Sequence, residues 1–127
     1  MIAIIEDDRG WEQYYRDLLK GYELKCFHDG LAAVKWLDET KPDLIILDIL
    51  LVGPTGFAVL NELRSYPELD DVPIIVVSSV KMSASELVKY GVRAVFDKGE
   101  MMPQELVKSV QAALDEPRRA KNGGGLA

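Results

Sequence analysis

Two runs of consecutive aliphatic residues constrain this chain most: Leu44-Ile45-Ile46-Leu47 and Ile74-Ile75-Val76-Val77. Neither alternates with polar residues, so a strand formed there must be covered on both faces. Met1–Ile5 is a third short apolar run. Between such runs lie stretches with helical spacing. Trp11, Tyr14, Tyr15, Leu18 and Leu19 mark a helix over Gly10–Lys20. Leu31–Leu37, Gly56–Ser65, Ser83–Tyr90 and Pro103–Leu114 read likewise. Tyr22–Phe27 and Ala94–Asp97 supply two further strands, and Pro67–Pro73 is loop. Ser83 and Glu86 have the spacing of a capping box, Gly91 stops that helix, and Pro103 opens the last one.

Strand and helix thus alternate through five βα units. Parallel strands buried on both faces and joined by right-handed crossovers make an α/β doubly wound sheet. In such sheets ligands sit beyond the carboxyl ends of the strands.

The chain's length fits one domain, placed at residues 1–116, with 117–127 as a flexible, glycine-rich tail or linker stub. Acidic residues outnumber basic ones by 21 to 15, and three of the basic residues, Arg118, Arg119 and Lys121, lie in that tail. A body this acidic repels phosphate backbones, which argues against nucleic-acid binding. Cys26 is the single cysteine, so no intrachain disulfide forms and a reducing compartment is expected. No apolar run approaches the roughly 20 residues that span a bilayer, and no basic segment leads into an apolar one as in a signal peptide. The expected location is cytoplasmic.

The polar residues at the strand ends carry the chemistry. Glu6, Asp7 and Asp8 follow the first strand, Asp48 closes the third, Ser78 the fourth, and Lys98 follows the fifth. All converge on one crevice. Carboxylates gathered there repel one another and call for a hard cation, and Mg²⁺ suits oxygen ligands. With its charge partly offset, Asp48 can act as a nucleophile toward phosphorus, while Lys98 and the cation offset charge on the transferring group. Asp8 reads as a charge at a helix N-terminus rather than a ligand. His28 lacks sequence partners for a metal site or a triad, Cys26 reads as core, and Trp11, Tyr14 and Trp36 read as packing residues.

These segments resemble the response regulator receiver domains of two-component signalling. The resemblance runs through Ile4-Ile5-Glu6-Asp7-Asp8, Asp43 to Asp48 with Gly56 eight residues on, Pro73 to Ser79, and Lys98. It implies a flavodoxin-like, CheY-like sheet in strand order 2-1-3-4-5 with five helices. It implies Asp48 as phosphoacceptor, Ser78 as switch hydroxyl and Lys98 as phosphate-binding lysine. Glu6, Asp7, Asp48 and the Leu50 carbonyl become the Mg²⁺ ligands. The implied partners are a sensor histidine kinase or histidine phosphotransfer protein and a downstream output protein or output domain, with no membrane and with room for a weak homodimer. Such a domain is no enzyme beyond its own phosphorylation and dephosphorylation.

The chain departs from the family pattern at Val52, where proline is common and Pro54 follows instead, and at Gly99, which replaces proline after Lys98. It departs also at Val95, where an aromatic residue is usual; Phe96 would face the other side of its strand. These departures motivate the alternative reading, a receiver fold used as a phosphorylation-independent interaction module. A phosphatase with an aspartate nucleophile fits less well, because Leu50 stands where a second acid is expected.

Overall fold

The computed structural model describes residues 1–51 and 55–117. Its strands are β1 (Ile2–Ile5), β2 (Leu24–Phe27), β3 (Leu44–Leu47), β4 (Ile74–Ser78) and β5 (Val92–Asp97). Its helices are α1 (Arg9–Leu18), α2 (Gly30–Leu37), α3 (Gly56–Arg64), α4 (Ala84–Leu87) and α5 (Pro103–Leu114). The strands form one parallel sheet in the order β2-β1-β3-β4-β5, as the resemblance implies.

The uninterrupted aliphatic runs are the central strands, and every residue of β1, β3 and β4 is buried. Alternate side chains go to opposite faces. On one face Ile5, Leu47 and Val76 pack with Leu37 of α2, Leu60 of α3 and Leu87 of α4. On the other, Ile4, Ile46 and Val77 pack with Tyr15 of α1 and Leu106 and Val110 of α5. Helices on both faces make the sheet doubly wound. β2 is an edge strand and only half-buried, so Cys26 packs against the α1/α5 core without being enclosed by it.

Val95 and Phe96 fall on opposite faces, as their alternation requires. Val95 packs against the α2/α3/α4 core and Phe96 against the α1/α5 core. β5 begins two residues earlier than its apolar pattern suggests, and its register on β4 shifts between Ile74 and Ile75.

The helix expected over Ser83–Tyr90 is a correction. Only Ala84–Leu87 is α-helical, and Val88–Tyr90 tightens into a 3₁₀ turn. The capping box does not form. The Ser83 hydroxyl is engaged with that of Ser85 at 2.6 Å, and no side chain caps the helix. Gly91 ends the segment with φ 85°, a left-handed conformation that glycine adopts without steric cost. The described residues contain no cis peptide, so the chain passes from Lys98 to Gly99 in the trans form. Val52 and Pro54 lie outside the described residues, as does the tail from 118 onward.

Candidate functional site

Parallel register delivers the acidic residues to one level. β1, β3 and β4 pair in step, Ile5 beside Leu47 and Leu47 beside Val76. The ladder runs one residue past each strand: Glu6 N–H donates to the Phe27 carbonyl at 2.9 Å and Asp48 N–H to the Ile5 carbonyl at 3.0 Å. Glu6 and Asp48 therefore emerge side by side. Both are buried, with exposures of 2% and 5%, and Ser78 is fully enclosed. Carboxyl oxygens of Glu6, Asp7 and Asp48 lie within 4.8 Å of one another.

Lys98 reaches the same point from β5. Its backbone N–H donates to the Ser78 carbonyl at 3.0 Å, which ties the start of its loop to the end of β4. Its Nζ lies 2.9 Å from Asp48 Oδ2 in a hydrogen bond and 2.8 Å from Glu6 Oε1. The second contact is an ion pair without hydrogen-bonding angles, because Glu6 Oε1 makes no hydrogen bond among the described residues. Glu6 Oε2 accepts from the Asp8 N–H, and Asp48 Oδ1 accepts from the Leu50 N–H at 3.0 Å. The Ser78 hydroxyl accepts from the Val80 N–H at 3.3 Å.

Burial dominates the electrostatics. It pushes the Glu6 carboxyl up to about 7, aided by the charge of Asp48, while Lys98 and the Asp8 N–H pull the other way. Burial alone would lower the Lys98 ammonium, but its pairs with Glu6 and Asp48 outweigh that and hold it above its usual range. Lys98 is thus a fixed cation between two acids.

The cluster fits a hard divalent cation. It offers three carboxylates within chelating distance, two of them buried, with one ammonium between them. Asp8 is not part of it. Its carboxylate accepts from the N–H groups of Gly10 and Trp11 and caps α1, as its position before the helix suggests. Leu50 presents an exposed side chain beside the site. Gly56 lies against the Asp48–Ile49 backbone. A Cβ on it would lie 2.5 Å from the Ile49 Cα and 2.8 Å from the Asp48 carbonyl oxygen, so α3 can approach the Asp48 backbone only through glycine.

Two contacts escape the sequence pattern. His28 pairs through Nε2 with Glu12 Oε1 at 2.6 Å, joining the end of β2 to α1. Trp11 packs edge-on against Tyr14 as expected of a core aromatic, but its ring also lies 4.9 Å from Lys98 Nζ. Neither pair is close in sequence, so no spacing rule could have found it.

Known proteins resemble this chain. The chain is 34% identical over 89 residues to the response regulator MprA of Mycobacterium ulcerans, a match covering 68% of this chain but 37% of MprA. It is 34% identical over 87 residues to the polar-differentiation response regulator DivK of Brucella anthropi, covering 67% of this chain and 71% of DivK. The response regulator TrrA of Thermotoga maritima, solved in complex with Mg(2+)-BeF, superposes with a TM-score of 0.75 at 25% identity, covering 88% of this chain and 96% of that one. The pattern of the response regulator receiver domain matches residues 2–111, and the chain belongs to that family.

Proposed function

We propose that this receiver domain of a two-component system accepts a phosphoryl group on Asp48 in a Mg²⁺-dependent reaction. One observation carries the reading: Glu6, Asp7 and Asp48 bring carboxyl oxygens within 4.8 Å of one another while Lys98 holds its ammonium against two of them. A hydrogen-bond network alone does not call for so much buried negative charge.

Glu6, Asp7, Asp48 and the carbonyl of Leu50 would hold the cation. Bound Mg²⁺ supplies positive charge that offsets the phosphoryl oxygens. A carboxylate oxygen of Asp48 forms the new bond to phosphorus as the donor's bond to phosphorus breaks. Lys98 offsets charge on the transferring group, and the Ser78 hydroxyl donates a hydrogen bond to the product phosphoryl. A sensor histidine kinase or a histidine phosphotransfer protein is the donor, and catalysis is confined to the protein's own phosphorylation and dephosphorylation.

The receiver unit is taken as residues 1–116. Support for that limit comes from Glu116, whose carboxylate returns to Arg93 on β5 at 2.9 Å. The output surface is taken to be the end of β4 and β5, where Ser78 and Lys98 sit. A downstream partner reads that surface. A cytoplasmic setting agrees with this donor chemistry, and among the described residues no helix is long and apolar enough to cross a membrane.

Incubation with Mg²⁺ and a small phosphodonor tests the reading by mass spectrometry. Wild type gains one phosphoryl group and Asp48→Asn gains none. An unchanged wild-type mass, or equal labelling of the variant, overturns it.

A further inference from the structure

We propose that Trp11 is a positioning residue for Lys98: its indole face holds the ammonium at the phosphoryl-transfer site. The inference rests on the reading of Asp48 as phosphoacceptor and assigns a role to a residue outside the acidic cluster.

Trp11 is fixed before it meets Lys98. It stands in the first turn of α1, where Asp8 Oδ1 accepts from its N–H at 3.1 Å and from the Gly10 N–H at 2.7 Å. Its ring packs edge-on against Tyr14, with centroids 4.9 Å apart, and tilted against the buried Tyr15 at 6.0 Å. Backbone capping and two aromatic neighbours thus fix where the indole face points. That face meets Lys98 Nζ at 4.9 Å, within the range of attraction between a cation and an aromatic ring.

The ring does what the carboxylates cannot. Glu6 and Asp48 are also the residues that would hold a cation, so their oxygens attract the ammonium only while they are not turned to it. The indole is uncharged, so its attraction persists whatever those two acids hold. Its position also matters. Trp11, Tyr14, Met101 and Pro103 line an open cleft of about 500 Å³ that reaches Lys98. With a small side chain at position 11, water in that cleft would solvate the ammonium, and the lysine would lose its fixed place. Tryptophan binds a cation more strongly than other aromatic residues, and an aliphatic side chain, which has no ring quadrupole, does so hardly at all.

The test compares Trp11→Phe and Trp11→Leu with wild type. First, NMR of the Lys98 ε-methylene protons reads the contact directly. In wild type they lie upfield of ordinary lysine values through the indole ring current, and in Trp11→Leu they return to those values. Second, the rate of phosphorylation by a small phosphodonor with saturating Mg²⁺ reads the consequence. Trp11→Leu is expected to be slower by roughly three- to tenfold, with Trp11→Phe between it and wild type. Ordinary Lys98 shifts in wild type overturn the proposal, and this measurement needs no variant to fold. Equal rates for wild type and Trp11→Leu overturn it too, as does equal slowing by Phe and Leu, which would mark a packing defect. A wild type that takes no phosphoryl group instead overturns the reading of Asp48, so the two failures are distinguishable.

Discussion

Lys98 Nζ lies 2.9 Å from Asp48 Oδ2, although 50 residues of chain separate them. The lysine is mostly enclosed and the aspartate almost fully so. Removing one partner of such a pair leaves a buried charge without compensation, which typically costs about 3–5 kcal/mol.

Lys98→Met is therefore expected to destabilise the domain by about 3 kcal/mol at pH 7.5 in metal-free buffer. Part of that loss is recovered at pH 5, where the Glu6 carboxyl, raised by burial, holds its proton. Urea unfolding at the two pH values measures both effects. A loss of the same size at both would show that Lys98 acts through packing rather than charge.

Glu6 makes stability depend on pH in a definite direction. Its carboxyl is held at about 7 in the folded protein against 4.5 for the free group, chiefly by burial. The folded state binds that proton more tightly than the unfolded one. The associated stability is full below pH 4.5 and is lost as pH rises through about 7. Glu6→Gln has no such dependence. In metal-free buffer its stability relative to wild type should rise by on the order of 1 kcal/mol from pH 5 to pH 8. Chemical denaturation across that range checks it, and a constant difference would contradict it.

The same proton competes with a cation. Mg²⁺ binding requires the ionised carboxylate, so affinity should fall as pH drops below about 7, where Glu6 takes up its proton. Titration calorimetry between pH 5.5 and 8 would reveal this, and it should vanish in Glu6→Gln, which binds more weakly throughout.

Gly56→Ala tests the close approach of α3 to the Asp48 loop. The added Cβ would meet the Ile49 Cα at 2.5 Å and the Asp48 carbonyl oxygen at 2.8 Å, and neither backbone atom can swing aside. A loss of about 1–3 kcal/mol is expected. Because the displaced segment carries Asp48, phosphorylation should slow as well. A stable variant that reacts at the wild-type rate would show that α3 shifts without moving the site.

Asp8→Ala separates the cap from the metal cluster. Losing the side-chain acceptor of two α1 N–H groups should cost about 1 kcal/mol. Mg²⁺ affinity should stay near wild type, because the Asp8 backbone N–H still donates to Glu6 Oε2. A large fall in affinity would place the Asp8 carboxylate among the ligands.

The sheet and the level of the site are legible in the residue pattern. Uninterrupted aliphatic runs at 44–47 and 74–77 can only be strands covered twice, and polar residues at their carboxyl ends must converge because parallel strands end together. Asp8 was legible as a charge at the start of α1 because that depends only on its place just before the helix, and the structure makes it the N-cap. Other features arise only when distant elements pack together. The Ser83 capping box does not form, and its hydroxyl meets that of Ser85 instead. His28 finds Glu12 only once β2 lies beside α1, and Trp11 looks like any core aromatic until β5 brings Lys98 under its ring. Periodicity encodes which face of an element is apolar. It does not encode which side chains from distant elements share a few ångströms of space, and that proximity sets the burial of Glu6 and the setting of Lys98.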